Sequence, residues 1–161
     1  PGVQNVETEK FPINLPELTR HFILCYTGKP RNSGINNWEI TKKAIDGNRA
    51  VIRNLKSIRD CAIEMEQVLS RGQIESIARV FARQWKVRKN LAPNISTPQM
   101  DQLFRSAMRK GAMAGKVCGA GGGGCIAFIV PPAKKQSIIE ELTSNGGKVL
   151  PFHFVSRGLR H

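Results

Sequence analysis

Apolar residues along this chain recur at several spacings, and each spacing implies a different element. His21 to Thr27 (HFILCYT) is a short, continuous apolar and aromatic run, the pattern of a buried strand. It gives way to the turn residues Gly28 to Gly34 (GKPRNSG), which predict a loop. A short amphipathic helix is predicted over Asn37 to Ile45, ended by Asp46-Gly47. Val51, Leu55, Ile58, Ala62, Met65 and Leu69 then recur at alternating steps of four and three, one stripe of a long helix. Beyond Gly72, the residues Ile74, Ile77, Ala78, Phe81 and Trp85 mark the buried face of a second helix. Ser96-Thr97-Pro98 predicts a third start, with a hydroxyl cap and proline in the first turn. Leu103, Phe104, Ala107 and Met108 carry that helix to Gly111.

The texture changes after Gly111. Lys116 to Cys118 reads as a short extended piece, Gly119 to Gly124 as a turn, and Cys125 to Val130 as a strand. Pro131-Pro132 opens a helix with Ile138, Ile139 and Leu142 inward, stopped at Asn145-Gly146. Leu150, Phe152 and Phe154 alternate with period two, a last strand. The order is β-ααα-ββ-α-β. Helices grouped beside hairpin-linked strands predict an α+β two-layer sandwich, with a mainly antiparallel sheet and helices on one face. Residues 1–161 fit a single domain with a real core.

Composition changes this picture in one respect. Lysine and arginine number 25 against 12 acidic residues, a formal charge of +13, which implies an anionic partner. Nucleic acid, a membrane surface, a phosphorylated ligand and an acidic remainder of the same polypeptide all satisfy that demand. No apolar run approaches the roughly 20 residues of a membrane span. The N-terminal residues carry no signal pattern. The chain opens on proline, which leads us to expect processing or excision from something longer. Cys25, Cys61, Cys118 and Cys125 lack zinc-site spacing, and His21, His153 and His161 are scattered. Free thiols in a reducing cytoplasm, and no metal site, are expected. Arg79, Arg83, Lys86, Arg88 and Lys89 read as the solvated face of a helix, and Trp38 and Trp85 as packing residues.

The segment Lys116-Val-Cys-Gly-Ala-Gly-Gly-Gly-Gly-Cys125 carries the chemistry. Such glycine density has a backbone entropy cost, tolerated where the chain bends tightly or approaches something a Cβ would block. Consecutive amides in such a turn can form a concave nest for phosphate oxygens. Gly119, Gly121 and Gly124 satisfy G-x-G-x-x-G, but the glycines run into a strand rather than a helix, which excludes the dinucleotide fingerprint. No Walker A loop occurs. A glycine-rich hairpin that merely allows tight packing is the competing reading.

This segment, followed by Ile-Ala-Phe-Ile-Val, closely resembles the third conserved motif of the GHMP kinases (galacto-, homoserine, mevalonate and phosphomevalonate kinases). Ser96-Thr97-Pro98 opening a helix, and Met113-Ala114-Gly115 leading into the motif, fit as well. Tyr26 to Gly34 looks most like the sugar-kinase branch that includes heptose-phosphate kinases. The resemblance implies a ferredoxin-like C-terminal domain, in which the motif faces the nucleotide. It implies that Gly119, Ala120, Gly121, Gly122, Gly123 and Gly124 lie beside the ATP phosphates. Thr27, Gly28, Arg31, Asn32 and Ser33 would then neighbour the acceptor, a sugar or sugar phosphate. ATP and Mg2+ are implied as cofactors, bound mainly through an N-terminal kinase domain of the same polypeptide. The family's own phosphate loop, substrate motif and catalytic residues are not found in these residues, so the isolated chain is expected to be inactive. Two other classes stay open: a basic nucleic-acid-binding module, and a relative that senses a ligand without chemistry. Aromatic residues make up only 6%, and no RNA-recognition strand signature occurs, which counts against nucleic acid.

Overall fold

The computed structural model of the protein describes residues 12–30 and 33–156. Six helices and four strands follow in the order α1 (Leu15–Arg20), β1 (Phe22–Tyr26), α2 (Ser33–Ile45), α3 (Arg49–Ser70), α4 (Ile74–Lys89), α5 (Pro98–Arg109), β2 (Ala114–Val117), β3 (Cys125–Ile129), α6 (Lys135–Ser144) and β4 (Lys148–Leu150). The strands form one sheet in the order β2-β3-β1-β4, every neighbouring pair antiparallel. This is the expected α+β sandwich, with one helix, α1, more than the sequence predicts.

The elements form where local chemistry directs. Thr97 caps α5, its side chain accepting from the Met100 amide at 3.3 Å, and Pro98 occupies the first turn, where no amide is needed. Asn48 caps α3 by accepting from the amides of Ala50 and Val51. Asn14 does the same for the short α1, a helix the sequence reading passed over. The loop after β1 is shorter than expected, because α2 already begins at Ser33. The last strand is shorter too. Pro151 has no amide to give a ladder, so β4 ends at Leu150 while Phe152 and Phe154 pack beyond it.

Strand alternation divides the core into two clusters. Ile23, Cys25, Val117, Ile126, Phe128 and Val130 face one way, beneath Met100, Leu103 and Ala107 of α5 and Ile138 and Leu142 of α6. Phe22, Ala114 and Ile129 face the other way, against Cys61 and Val68 of α3 and Ile77, Ala78 and Val80 of α4. Helix α4 lies along the edge strand β2 and feeds both sides. Its Trp85 stacks on Phe104 with centroids 5.2 Å apart, while its Phe81 meets Phe22 edge-on at 6.0 Å.

Two sequence expectations are corrected. The buried stripe of α3 includes Cys61 and Val68, whereas Leu55 and Ala62 are exposed. Apolar residues flank Val51, Ile58 and Met65 on both sides, so spacing alone admits either stripe; packing against α4 selects one. Trp38 does not pack either: it is 66% exposed on α2, whereas Trp85 is buried as expected. No helix among the described residues is long and apolar enough to cross a membrane.

Candidate functional site

The glycine-rich turn between β2 and β3 is held at both ends. The Cys118 amide donates to the Cys125 carbonyl at 2.8 Å, closing the hairpin ladder. The Gly122 amide donates to the Ile95 carbonyl at 3.0 Å, and the Gly124 amide to the Lys29 carbonyl at 2.9 Å. The turn is thereby wedged between the 3-10 turn Pro93–Ile95 and the loop that leaves β1. Glycine is required at two points. A Cβ on Gly121 would stand 2.5 Å from the Ile95 carbonyl oxygen, and one on Gly123 would stand 2.4 Å from that of Pro30. Both also have positive φ, as do Gly119, Gly122 and Gly124.

The sequence suggested a run of bare amides, and the geometry refines that. Gly122 and Gly124 spend theirs inside the molecule. Gly119 and Ala120 form a turn that the Gly121 amide closes toward the Cys118 carbonyl, and among the described residues the amides of Gly119, Ala120 and Gly123 meet no acceptor. Gly119 is exposed, and with Ala120 it forms one end of a cleft of about 800 Å³ on the open half of the second sheet face. The cleft floor is Leu24, Lys116 and Ala127, and its walls include Phe22, Phe81, Phe152 and Phe154.

Two cations sit at the glycine end. Arg88, from the last turn of α4, donates to the Gly119 carbonyl at 2.7 Å, while its Nε is buried with no partner. Lys116 projects from β2 with its ammonium 5.4 Å from the Phe81 ring centre. Burial, and then the nearby Arg88 charge, hold the Lys116 ammonium below its usual range. The sequence reading assigned Arg88 to a solvated face. Its neighbours bear that reading out: Arg83 pairs with Glu64, and Lys89 with Asp101 at 2.6 Å. Arg88 differs because it lies seven residues beyond Phe81, on the same helical stripe. That spacing was the available signal.

The Lys89–Asp101 pair also steadies the turn that holds Gly122. Burial pushes the Asp101 carboxyl up, but hydrogen bonds from Lys89 and Ser96, with the charges of Lys89 and Arg105, outweigh this and hold it below its ordinary range.

The expected acceptor residues are only partly described. Thr27 is buried, its hydroxyl directed to the Lys29 carbonyl at 3.4 Å and its amide to Gly124, so it braces the loop where it stands. Gly28 is exposed, with φ of 80° and no neighbour nearer its missing Cβ than 3.9 Å. Ser33 opens α2. Arg31 and Asn32 lie outside the described residues. Among the described residues, no group of three His, Cys, Asp or Glu side chains could hold a metal ion.

Comparison with known proteins agrees with this architecture. The sequence pattern of the family described as "GHMP kinases C terminal" matches residues 65–148, which contain the glycine turn and the 3-10 turn Pro93–Ile95 that packs against it. Over 144 residues the chain is 28% identical to the D-glycero-alpha-D-manno-heptose 7-phosphate kinase of Campylobacter jejuni, covering 89% of this chain and 42% of that protein. The crystal structure of a Lin0012 protein from Listeria innocua superposes with a TM-score of 0.74 at 26% identity, over 82% of this chain and 38% of the other. A D-glycero-D-manno-heptose 1-phosphate kinase from Bacteroides thetaiotaomicron superposes with a TM-score of 0.55 at 27% identity, over 87% and 34%. The chain thus spans well under half the length of these relatives. With the family pattern covering more than half of it and the fold agreeing throughout, this chain belongs to the GHMP kinases, as their C-terminal domain.

Proposed function

We propose that this chain is the C-terminal half of an ATP-dependent kinase that phosphorylates a hydroxyl of a sugar or sugar phosphate. In this reading Gly119, Ala120, Gly121, Gly122, Gly123 and Gly124 lie beside the ATP phosphates. One observation carries it: a turn that excludes side chains at Gly121 and Gly123, yet leaves the Gly119 and Ala120 amides, at the rim of a cleft, without acceptors among the described residues. Buried unpaired amides are costly, so a turn built this way favours an external acceptor.

The chemistry follows from general principles. Phosphoryl transfer asks little covalent work of a protein; it needs positioning and stabilisation of charge on the transferring oxygens. Amides locked by the Ile95 and Lys29 carbonyls are pre-organised for that task and need no rearrangement when charge develops. Arg88 fixes the Gly119 carbonyl, which sets the direction of the adjoining amide. ATP would arrive with Mg2+, neutralising charge between its phosphates. We assign the metal ligands, the phosphate loop and the catalytic residues to the larger remainder of such a kinase, its N-terminal domain. Thr27, Gly28, Arg31, Asn32 and Ser33 are proposed to border the acceptor. Four cysteines with no disulfide among them fit a reducing compartment such as the cytoplasm. The likeness to heptose phosphate kinases makes a phosphorylated heptose the first acceptor to try.

The test is release of ADP by the full-length protein offered ATP, Mg2+ and D-glycero-D-manno-heptose 7-phosphate or related sugars. Acceptor-dependent turnover is expected from the full-length protein, and none from residues 1–161 alone. Turnover by the isolated chain at the full-length rate would overturn the division of labour. Failure of the full-length protein to release ADP with any sugar would overturn the reading itself.

A further inference from the structure

We propose that the cleft on the open sheet face is a separate binding site for an organic anion with an apolar body, its charged group held by Lys116 and Arg88. Three features carry this. First, the two cations lack counter-charges: neither Lys116 nor Arg88 has a carboxylate partner among the described residues, although most of the ion pairs nearby are satisfied. Two uncompensated cations side by side are unfavourable until an anion joins them. Second, the Nε of Arg88 is buried and donates to nothing. An oxyanion beside it would supply the missing acceptor in the planar geometry guanidinium prefers.

Third, the wall that leads away from these cations is aromatic and continuous. Lys116 lies over Phe81, Phe81 meets Phe22 at 6.0 Å, Phe22 meets Phe154 at 5.3 Å, and Phe154 meets Phe152 at 5.6 Å. A volume of about 800 Å³ accommodates a body of small-molecule size. Among the described residues, the polar side chains of the lining besides the cations are Asn37 and Cys118, too few to read the ring nitrogens of a purine. An alkyl or aryl phosphate or carboxylate fits better than a nucleotide.

The site shares Gly119 with the proposed nucleotide loop but does not depend on it.

Calorimetric titration of the full-length protein with hexyl phosphate, inorganic phosphate and hexan-1-ol tests this directly. Hexyl phosphate is expected to bind at least about tenfold more tightly than either fragment, since it satisfies both cations and the aromatic wall. Saturating ATP with Mg2+ is expected to leave that affinity within about twofold. Lys116→Met keeps the apolar stem, removes one cation and disturbs no hydrogen bond; it is expected to weaken binding about tenfold. Lys116→Arg is expected to restore it. Arg88→Gln gives the second reading, with its melting temperature checked because it also loses the Gly119 contact. Equal binding by wild type and Lys116→Met would overturn the site. So would equal affinity for hexyl phosphate and hexanol, or displacement by ATP, which would assign the cations to the nucleotide. If ATP itself fails to bind, the kinase reading fails while this site still stands on its own titration.

Discussion

The two faces of the sheet are made by the same four strands and have opposite characters. On the closed face, Cys25, Ile126 and Phe128 are fully buried and Ile23 and Val117 nearly so, under α5 and α6. There is no room even for a methyl group at Gly115, whose Cβ would stand 2.7 Å from the Phe128 ring and 2.8 Å from that of Phe104. On the open face, one residue along each strand, Leu24, Lys116 and Ala127 floor a cleft. Alternation with period two thus gives each of β1, β2 and β3 a fully buried face and a face that borders the cleft. The second face is filled only where α3 and α4 cover Phe22, Ala114 and Ile129.

The largest contrast should appear in stability. Phe128→Ala is expected to cost about 3–5 kcal/mol, because it empties a fully enclosed position. Ala127→Ser, its neighbour on the open face, is expected to cost under about 0.5 kcal/mol. Urea denaturation of both variants measures this, and similar losses would break the distinction between faces.

Next in size is the glycine turn, which joins the two faces. Gly121→Ala puts a Cβ at positive φ against the Ile95 carbonyl, which is backbone and yields poorly. A loss of about 1–3 kcal/mol is expected, with a fall of about tenfold or more in kcat/KM for ATP in the full-length enzyme. Wild-type kinetics in that variant would show that the turn is only packing.

The smallest effect distinguishes the thiols. Burial first, and then the neighbouring Cys125, push the Cys25 thiol from 9.0 up to about 11. At pH 8, Ellman's reagent should therefore label the half-buried Cys118 and Cys125 before Cys25. Because the folded value lies above the unfolded one, the corresponding stabilisation is complete below about pH 9 and is lost as pH rises through about 11. Urea midpoints measured between pH 8 and 11 should fall less in Cys25→Ala than in wild type.

Much of this was legible in the sequence where local chemistry decides structure. The Thr97 cap, the buried strand Phe22–Tyr26 and the glycine turn each declare themselves within a few residues. What was not legible depends on partners distant in the chain. Nothing near Arg88 announces that it will bond Gly119, 31 residues away. The stripe of α3 that is buried is chosen by α4, and the exposure of Trp38 by what α2 does not meet. Likewise, the capture of two glycine amides by Ile95 and Lys29 follows from how three separated loops converge.

The most direct measurement is a titration of the full-length protein, labelled with 15N-glycine and 15N-alanine, with a non-hydrolysable ATP analogue and Mg2+. The amide resonances of Gly119, Ala120 and Gly123 are expected to move most, while those of Gly122 and Gly124, already bonded to Ile95 and Lys29, move least. Saturating nucleotide that leaves all of these unmoved would contradict the account.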